Sequence, residues 1–410
     1  MKKKSSFIWK TLLGLITLVL ILYIGFRIKE YFIGNKYVSY LEDYMLVKSP
    51  IKDPLKLEFD DEFYKNSLFL IGEFHEFAAS PTIDVAMFKH LHEKKDIRIY
   101  LAEMDIAQSY YLNEYLEQSS KFSLDRILEN WIVNIGQISK IYRNEKWGKL
   151  KKYYENLTAD KKFQVIGIDV IRDYKLLHTL LNQKLLYQYE IPKDKDGLIQ
   201  WGILNLPEIL SEHAYAEEDR LLLNDITFIL TNMKESNTRD EFMFRQFKYY
   251  YQQKNWSDKS LYGCFGLYHT LQGLEKTFAG KIKKSELGIG SKMISINPIY
   301  LNSHLTVLSS YLPWFIADDT EYTRLSISQD NMFDNYIIGI QDFKRVGNKN
   351  SINLFQLNAK NSPYKESLRG ISNFSLTPFF GIDIKNKNTA TTDYFQYVFV
   401  IDGSDWVPPE

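Results

Sequence analysis

Hydrophobic and polar positions alternate along this chain with several distinct periods. An uncharged, almost wholly apolar run extends from Thr11 to Phe26, preceded by Lys2, Lys3 and Lys4. At 1.5 Å per residue it reaches about 24 Å, and Phe7, Ile8 and Trp9 extend it with Lys10 reaching back to headgroups. Beyond residue 60, short apolar runs predict strands at Ser67–Ile71, Ile97–Ala102, Phe163–Ile168 and Leu261–Phe265. Between the first two lies helical spacing: Ser80 as N-cap, Pro81 in the first turn, then Ile83, Ala86, Met87, His90 and Leu91. Strand, helix and strand in that order form a βαβ unit, the building block of parallel sheets.

The expectation is an α/β fold: a mostly parallel central sheet flanked by helices, with helical insertions, preceded by one N-terminal transmembrane helix. Residues 1–30 are the anchor, 31–60 a juxtamembrane stalk, and 61–410 the α/β domain, with insertions at 106–160 and 174–255. From about Met293 to Trp406, strand-like runs at Tyr336–Ile340, Asn353–Leu357 and Tyr397–Ile401 complete the sheet. A cleaved signal needs small residues after the apolar run, and Arg27, Ile28, Lys29, Glu30 and Tyr31 are bulky or charged, so an uncleaved anchor is expected. The denser basic cluster lies before the run. The positive-inside rule then keeps the N-terminus cytoplasmic and the main domain extracytoplasmic.

Composition narrows the chemistry. Lys plus Arg equal Asp plus Glu at 51 each, which offers no basic surface for nucleic acid. The one cysteine, Cys264, excludes an internal disulfide and a multi-thiolate metal site. There is no G-x-S-x-G elbow, H-E-x-x-H, P-loop or dinucleotide fingerprint.

Instead, polar residues collect where the strands end. The first strand runs into Gly72-Glu73-Phe74-His75-Glu76, the second into Glu103 and Asp105, the third into Gly167-Ile168-Asp169, and the fourth into Gly266-Leu267-Tyr268-His269. In open α/β sheets ligands bind outside the carboxyl ends of the strands, so parallel neighbours would bring Glu73, His75, Glu103, Asp169 and His269 to one crevice. Glu103 and Asp169 could instead be helix N-caps after their strands. Thr238-Arg239-Asp240-Glu241 opens a helix as a capping box. It puts Arg239 in the first turn, where the helix dipole disfavours a cation and a carboxylate partner is expected.

Taken in order, Gly72-Glu73-Phe74-His75, Glu103, Gly167-Ile168-Asp169, Arg239-Asp240-x-x-Met243 and Gly266-x-x-His269 resemble the motifs of the erythromycin-esterase-like superfamily, which includes ChaN-like haem-uptake and TIKI/TraB-type proteins. The resemblance spans roughly residues 65–275. It implies that His75 is a general base or metal-site histidine, Glu73 and Glu103 its partner carboxylates, Arg239 the arginine of the helical motif, and His269 the late histidine. Phe74 and Glu76 around the first histidine, Gln246 in place of Asn, and a single late histidine depart from the esterase branch.

The expected activity is hydrolysis of an ester or amide in a small molecule or peptide. His75, with Glu73 or Glu103, would activate water, and Arg239 or His269 would stabilise the oxyanion. A divalent metal held by His75, His269 and a carboxylate (Glu73 or Glu103) is a variant of the same site. Haem or iron binding of the ChaN type and a non-catalytic scaffold are the alternatives.

Overall fold

A computed structural model describes residues 2–131, 143–331, 335–374, 384 and 388–407. Eight strands make the central sheet: β1 (Met45–Pro50), β2 (Leu68–Glu73), β3 (Ile99–Ala102), β4 (Gln164–Gly167), β5 (Leu261–Gly266), β6 (Met293–Leu301), β7 (Ser351–Gln356) and β8 (Tyr397–Asp402). Their order is β1-β7-β8-β6-β2-β5-β3-β4. The six from β8 to β4 are parallel, and β7 is antiparallel to both its neighbours. The mostly parallel α/β sheet is therefore as expected. Strands β2 and β6 to β8 are buried along their whole length, as strands covered by helices on both faces must be.

Several local expectations are corrected. The long strand β6 lies at the centre of the sheet, where the sequence reading had named no run. Tyr336–Ile340 is instead a short strand, Asn335–Ile337, in a separate three-stranded sheet, and Ile340 opens a helix. Ser80 does not cap its helix. The helix begins at Ala79, and the Ser80 hydroxyl sits inside it, on the Phe74 carbonyl at 2.6 Å and the Tyr300 hydroxyl at 2.7 Å.

The N-terminal helix is continuous from Lys2 to Asp43. Residues 31–60, expected as a stalk, are helix to Asp43 and then edge strand β1. From about Phe26 the helix packs on one sheet face: Tyr37 lies edge-on to Tyr364 at 5.0 Å, Tyr40 donates to the Gln356 carbonyl at 2.9 Å, and Glu30 pairs with Arg369 at 2.9 Å. Its apolar stretch from Trp9 is exposed.

Helix direction follows from these contacts. Tyr44 accepts from Gln356 N at 3.0 Å, and Gln356 pairs with Tyr397, the first residue of β8, so the helix ends at the amino-end rim of the parallel strands. Earlier along the helix, Asn35 and the Tyr31 carbonyl meet Arg345. Arg345 lies just before Asn350, which bonds Asp402 at the end of β8. The helix thus crosses the sheet from the carboxyl-end rim to the amino-end rim.

Candidate active site

The carboxyl-end rim gathers all six expected residues. Glu73 is the last residue of β2, and its strand position turns the carboxylate inward, 4% exposed. His75 follows in a turn and sets Nδ1 3.0 Å from Glu73 Oε1; its side chain remains 19% exposed. Glu103 and Asp169 follow β3 and β4, and both are buried. Neither caps a helix. Asp105 caps Ile106–Leu116 and Asp173 caps Tyr174–Lys184, which leaves Glu103 and Asp169 for another partner.

That partner is Arg239. Thr238 caps the Arg239–Gln253 helix by accepting from Glu241 N at 3.2 Å. The reciprocal arm of the expected box goes instead to Asn237 N, which donates to Glu241 Oε2 at 3.2 Å. The Arg239 fork donates through Nε to Asp169 Oδ1 at 2.7 Å, and through Nη2 to Asp169 Oδ2 and Glu103 Oε1, each at 2.5 Å. Two buried carboxylates around one guanidinium also offset the unfavourable helix dipole. Nη1 donates to His269 Nε2 at 3.3 Å, and His269 Nδ1 lies 2.8 Å from Asp240 Oδ1. Because a guanidinium only donates, His269 carries its proton on Nδ1 in this arrangement and gives it to Asp240. Glu103 Oε2 completes the ring by accepting from Gly266 N at 2.5 Å.

Charge sets the proton affinities. Burial works against the His75 cation, but Glu73, Glu103 and Glu76 outweigh it and raise the ring to about 9. Burial likewise opposes a charged His269; the Asp240 hydrogen bond and the charges of Glu103 and Asp240 raise it, while Arg239 limits the rise. Burial would raise Glu103, yet Arg239, His269 and His75 bring it down to about 2. Glu103 is thus the carboxylate that both histidines sense. Asp105, just behind the rim, is pushed up to about 6 by burial although three backbone N–H groups bond to it.

Beneath Glu73 lies a layer that the sequence reading missed. Lys146, 1% exposed, places Nζ 2.8 Å from Asp84 Oδ2 and 3.6 Å from Glu73 Oε1. Tyr100 and Tyr262 donate to the same Asp84 carboxylate at 2.7 and 2.5 Å. Lys146 thus gives Glu73 a cation from below while His75 meets it from above. Asp84, flanked by Ile83 and Val85 in an apolar helix, was the available signal, since a carboxylate there needs a buried partner. Lys146 sits in a π-helical turn, Asn144–Gly148, which no periodicity announces.

The metal variant does not fit these side chains. Arg239 donates to Nε2 of His269, the nitrogen a bridging ion would need, and Asp240 holds Nδ1. Among the described residues, the ligand atoms that do converge belong to Glu73, Asp84 and Cys264, and there the Lys146 ammonium already supplies the positive charge.

Comparison with known proteins adds the fold. No family model matches the sequence, and no curated protein is similar to it by sequence. Among solved structures, a Bacillus cereus protein superposes with a TM-score of 0.60 at 14% identity, over 91% of this chain and 98% of its own. A succinoglycan biosynthesis protein gives 0.57 at 16% identity, over 90% and 97%. A histidine-to-asparagine mutant of the erythromycin esterase EreC, in its open conformation, gives 0.53 at 13% identity, over 87% and 97%. The chain has the erythromycin-esterase fold. The likeness to ChaN of Campylobacter jejuni, solved with cofacially bound haem, has a TM-score of 0.31 and carries no argument for haem.

Proposed function

We propose that this protein is a membrane-anchored hydrolase that cleaves an ester or amide bond in a small molecule or peptide by histidine-based water activation. One observation carries the reading: Glu103 bonds Arg239 and its charge also acts on His75, which pairs with Glu73, so a proton-transfer group and a fixed cation share the rim at the strand ends. No serine or cysteine nucleophile is required.

In the proposed reaction Glu73 holds Nδ1 of His75, and proton exchange with water uses Nε2. A ring raised to about 9 is mostly cationic at neutral pH, so the basic fraction, and with it the rate, climbs with pH towards that value. Of the five guanidinium N–H groups of Arg239, four serve Asp169, Glu103 and His269. The remaining Nη1 hydrogen stabilises the oxyanion of the tetrahedral intermediate, with His269 beside it.

The N-terminal helix is assigned as an uncleaved anchor with its lysine cluster in the cytoplasm and the α/β domain outside. The exposed apolar stretch from Trp9 supports it, because soluble surfaces rarely display so much contiguous apolar area.

The test is a panel of activated esters and peptides offered to the full chain in detergent, with and without chelator, for wild type, His75→Ala and His269→Ala. Hydrolysis by wild type that survives the chelator and collapses in His75→Ala is the expected result. Equal activity in all three proteins removes the assigned site. A Soret band that appears on haem addition and disappears in His75→Ala, without any hydrolysis, would replace this reading with ligand binding.

A further inference from the structure

Among the described residues, exposed large apolar side chains form longer runs in two places, the N-terminal helix and the segment Tyr311–Ile316, while Leu186, Tyr187, Leu204, Leu221 and Tyr268 are exposed singly or as a pair. The segment lies in the loop between two antiparallel strands, Ser303–Leu308 and Tyr322–Ile327. Its side chains have no core to enter: Trp314 is 87% exposed, Phe315 69%, Tyr311 64% and Ile316 44%. Trp314 and Phe315 meet edge to face at 5.8 Å, so the aromatic pair is presented outward as a unit.

Both features belong to the same rim of the sheet. The hairpin leaves the carboxyl end of β6 through Asn302, in the left-handed region at φ 44°, and is held there by His304 N to Ser404 O at 2.8 Å and Thr306 Oγ1 to Val407 O at 2.6 Å. The N-terminal helix reaches that rim where Tyr31 and Asn35 meet Arg345, and its exposed apolar part continues past it. There is no spacer between them. The first charges after the apolar run, Arg27 and Lys29, precede Glu30, which is already clamped by Arg369 inside the domain. A bilayer that takes up residues 11–26 therefore ends within about one helical turn of the folded domain.

We infer that the carboxyl-end rim, which carries the His75 site, faces the bilayer, and that Tyr311–Ile316 is a second membrane contact that enters the headgroup region beside the anchor. This rests on the anchor assignment above. The chemistry favours lipid over a protein partner: Trp and Tyr at the tip of an uncharged segment suit the interface between hydrocarbon and water. Asp318, Asp319 and Glu321 follow the apolar stretch, so the contact depends on apolar insertion and requires no anionic lipid.

The experiment uses the full chain in phosphatidylcholine vesicles, labelled with an environment-sensitive fluorophore at one introduced thiol. Cys264 is buried and stays unlabelled. Labels go on Trp314→Cys or, as a second position, Phe315→Cys; on Leu20→Cys in the anchor; and on Glu62→Cys near the start of β2 at the opposite rim. Quenching by lipids brominated in the upper acyl chain is read for each. Quenching at positions 20 and 314 or 315, with none at 62, is expected. Quenching at 20 alone, or equally at 62 and 314, overturns the orientation while leaving the anchor. No quenching at any position removes the anchor and this inference together.

Discussion

The two halves of the site are built on opposite plans. In one, His75 Nδ1 lies 3.0 Å from the Glu73 carboxylate, and its ring remains partly open to solvent. In the other, Arg239, Glu103, Asp169, His269 and Asp240 tie one another down, with donors meeting acceptors at 2.5 to 3.3 Å. A proton carrier needs a face that can exchange with substrate, whereas a cation that stabilises charge works best when it cannot reorganise. Under the proposed reading, His75 transfers the proton and the Arg239 half positions charge, and each role can be tested against the other.

The largest expected effect on stability is in the locked half. Arg239→Ala leaves Glu103 buried without its guanidinium and Asp169 with Arg172 alone at 3.2 Å, and costs about 3–5 kcal/mol, read by urea denaturation. A cost below about 1 kcal/mol would make the network ornamental. In the open half the emphasis reverses: His75→Ala loses about 10²–10⁴ in kcat and costs less stability than Arg239→Ala, because Lys146 still faces Glu73 at 3.6 Å. Equal damage to folding and activity in both variants would erase the division of labour.

Acid and alkali sharpen the same contrast, with opposite signs. Glu103, lowered to about 2 from 4.5, contributes stability that is complete above 4.5 and lost as pH falls towards 2. His75, raised to about 9 from 6.5, contributes stability that is complete below 6.5 and lost as pH rises through about 9. Wild-type stability should fall at both ends, with the acid limb reduced in Glu103→Gln and the alkaline limb reduced in His75→Gln. Activity should rise over the alkaline limb, where stability declines. The smallest effect is expected from Asp240→Asn, which removes the charge beside His269 and lowers its titration midpoint, a shift visible in the ring proton resonances by NMR. An unchanged midpoint would mean that Asp240 contributes geometry alone.

Much of this was legible before any coordinates. The strand-ending polar residues each followed an apolar run, and in a parallel sheet the ends of neighbouring strands necessarily share a rim. That argument brings Glu73, His75, Glu103, Asp169 and His269 together without knowledge of strand order. Arg239 was legible for a different reason: a cation in the first turn of a capped helix is a local electrostatic debt that a distant carboxylate must settle. Lys146 gave no such sign, because its burial depends on Asp84 approaching from another helix. Strand β6 was hidden because Asn297 and Pro298 interrupt its apolar pattern, and only burial on both faces makes that segment a central strand.

By itself, then, the chain determined periodicity, the apolar N-terminal run, the caps and the positions of chemically unusual residues, since each depends on neighbours within a few residues. The tertiary structure decided which carboxylate meets which cation. Glu103 and Asp169 could have been helix caps until Asp105 and Asp173 filled those places and Arg239, seventy residues beyond Asp169, closed on them. It also decided that the apolar helix leaves from the site-bearing rim. The physical reason is the same for both: a buried charge is tolerable only beside its partner, and that partner is chosen by the packing of the whole sheet and not by proximity along the chain.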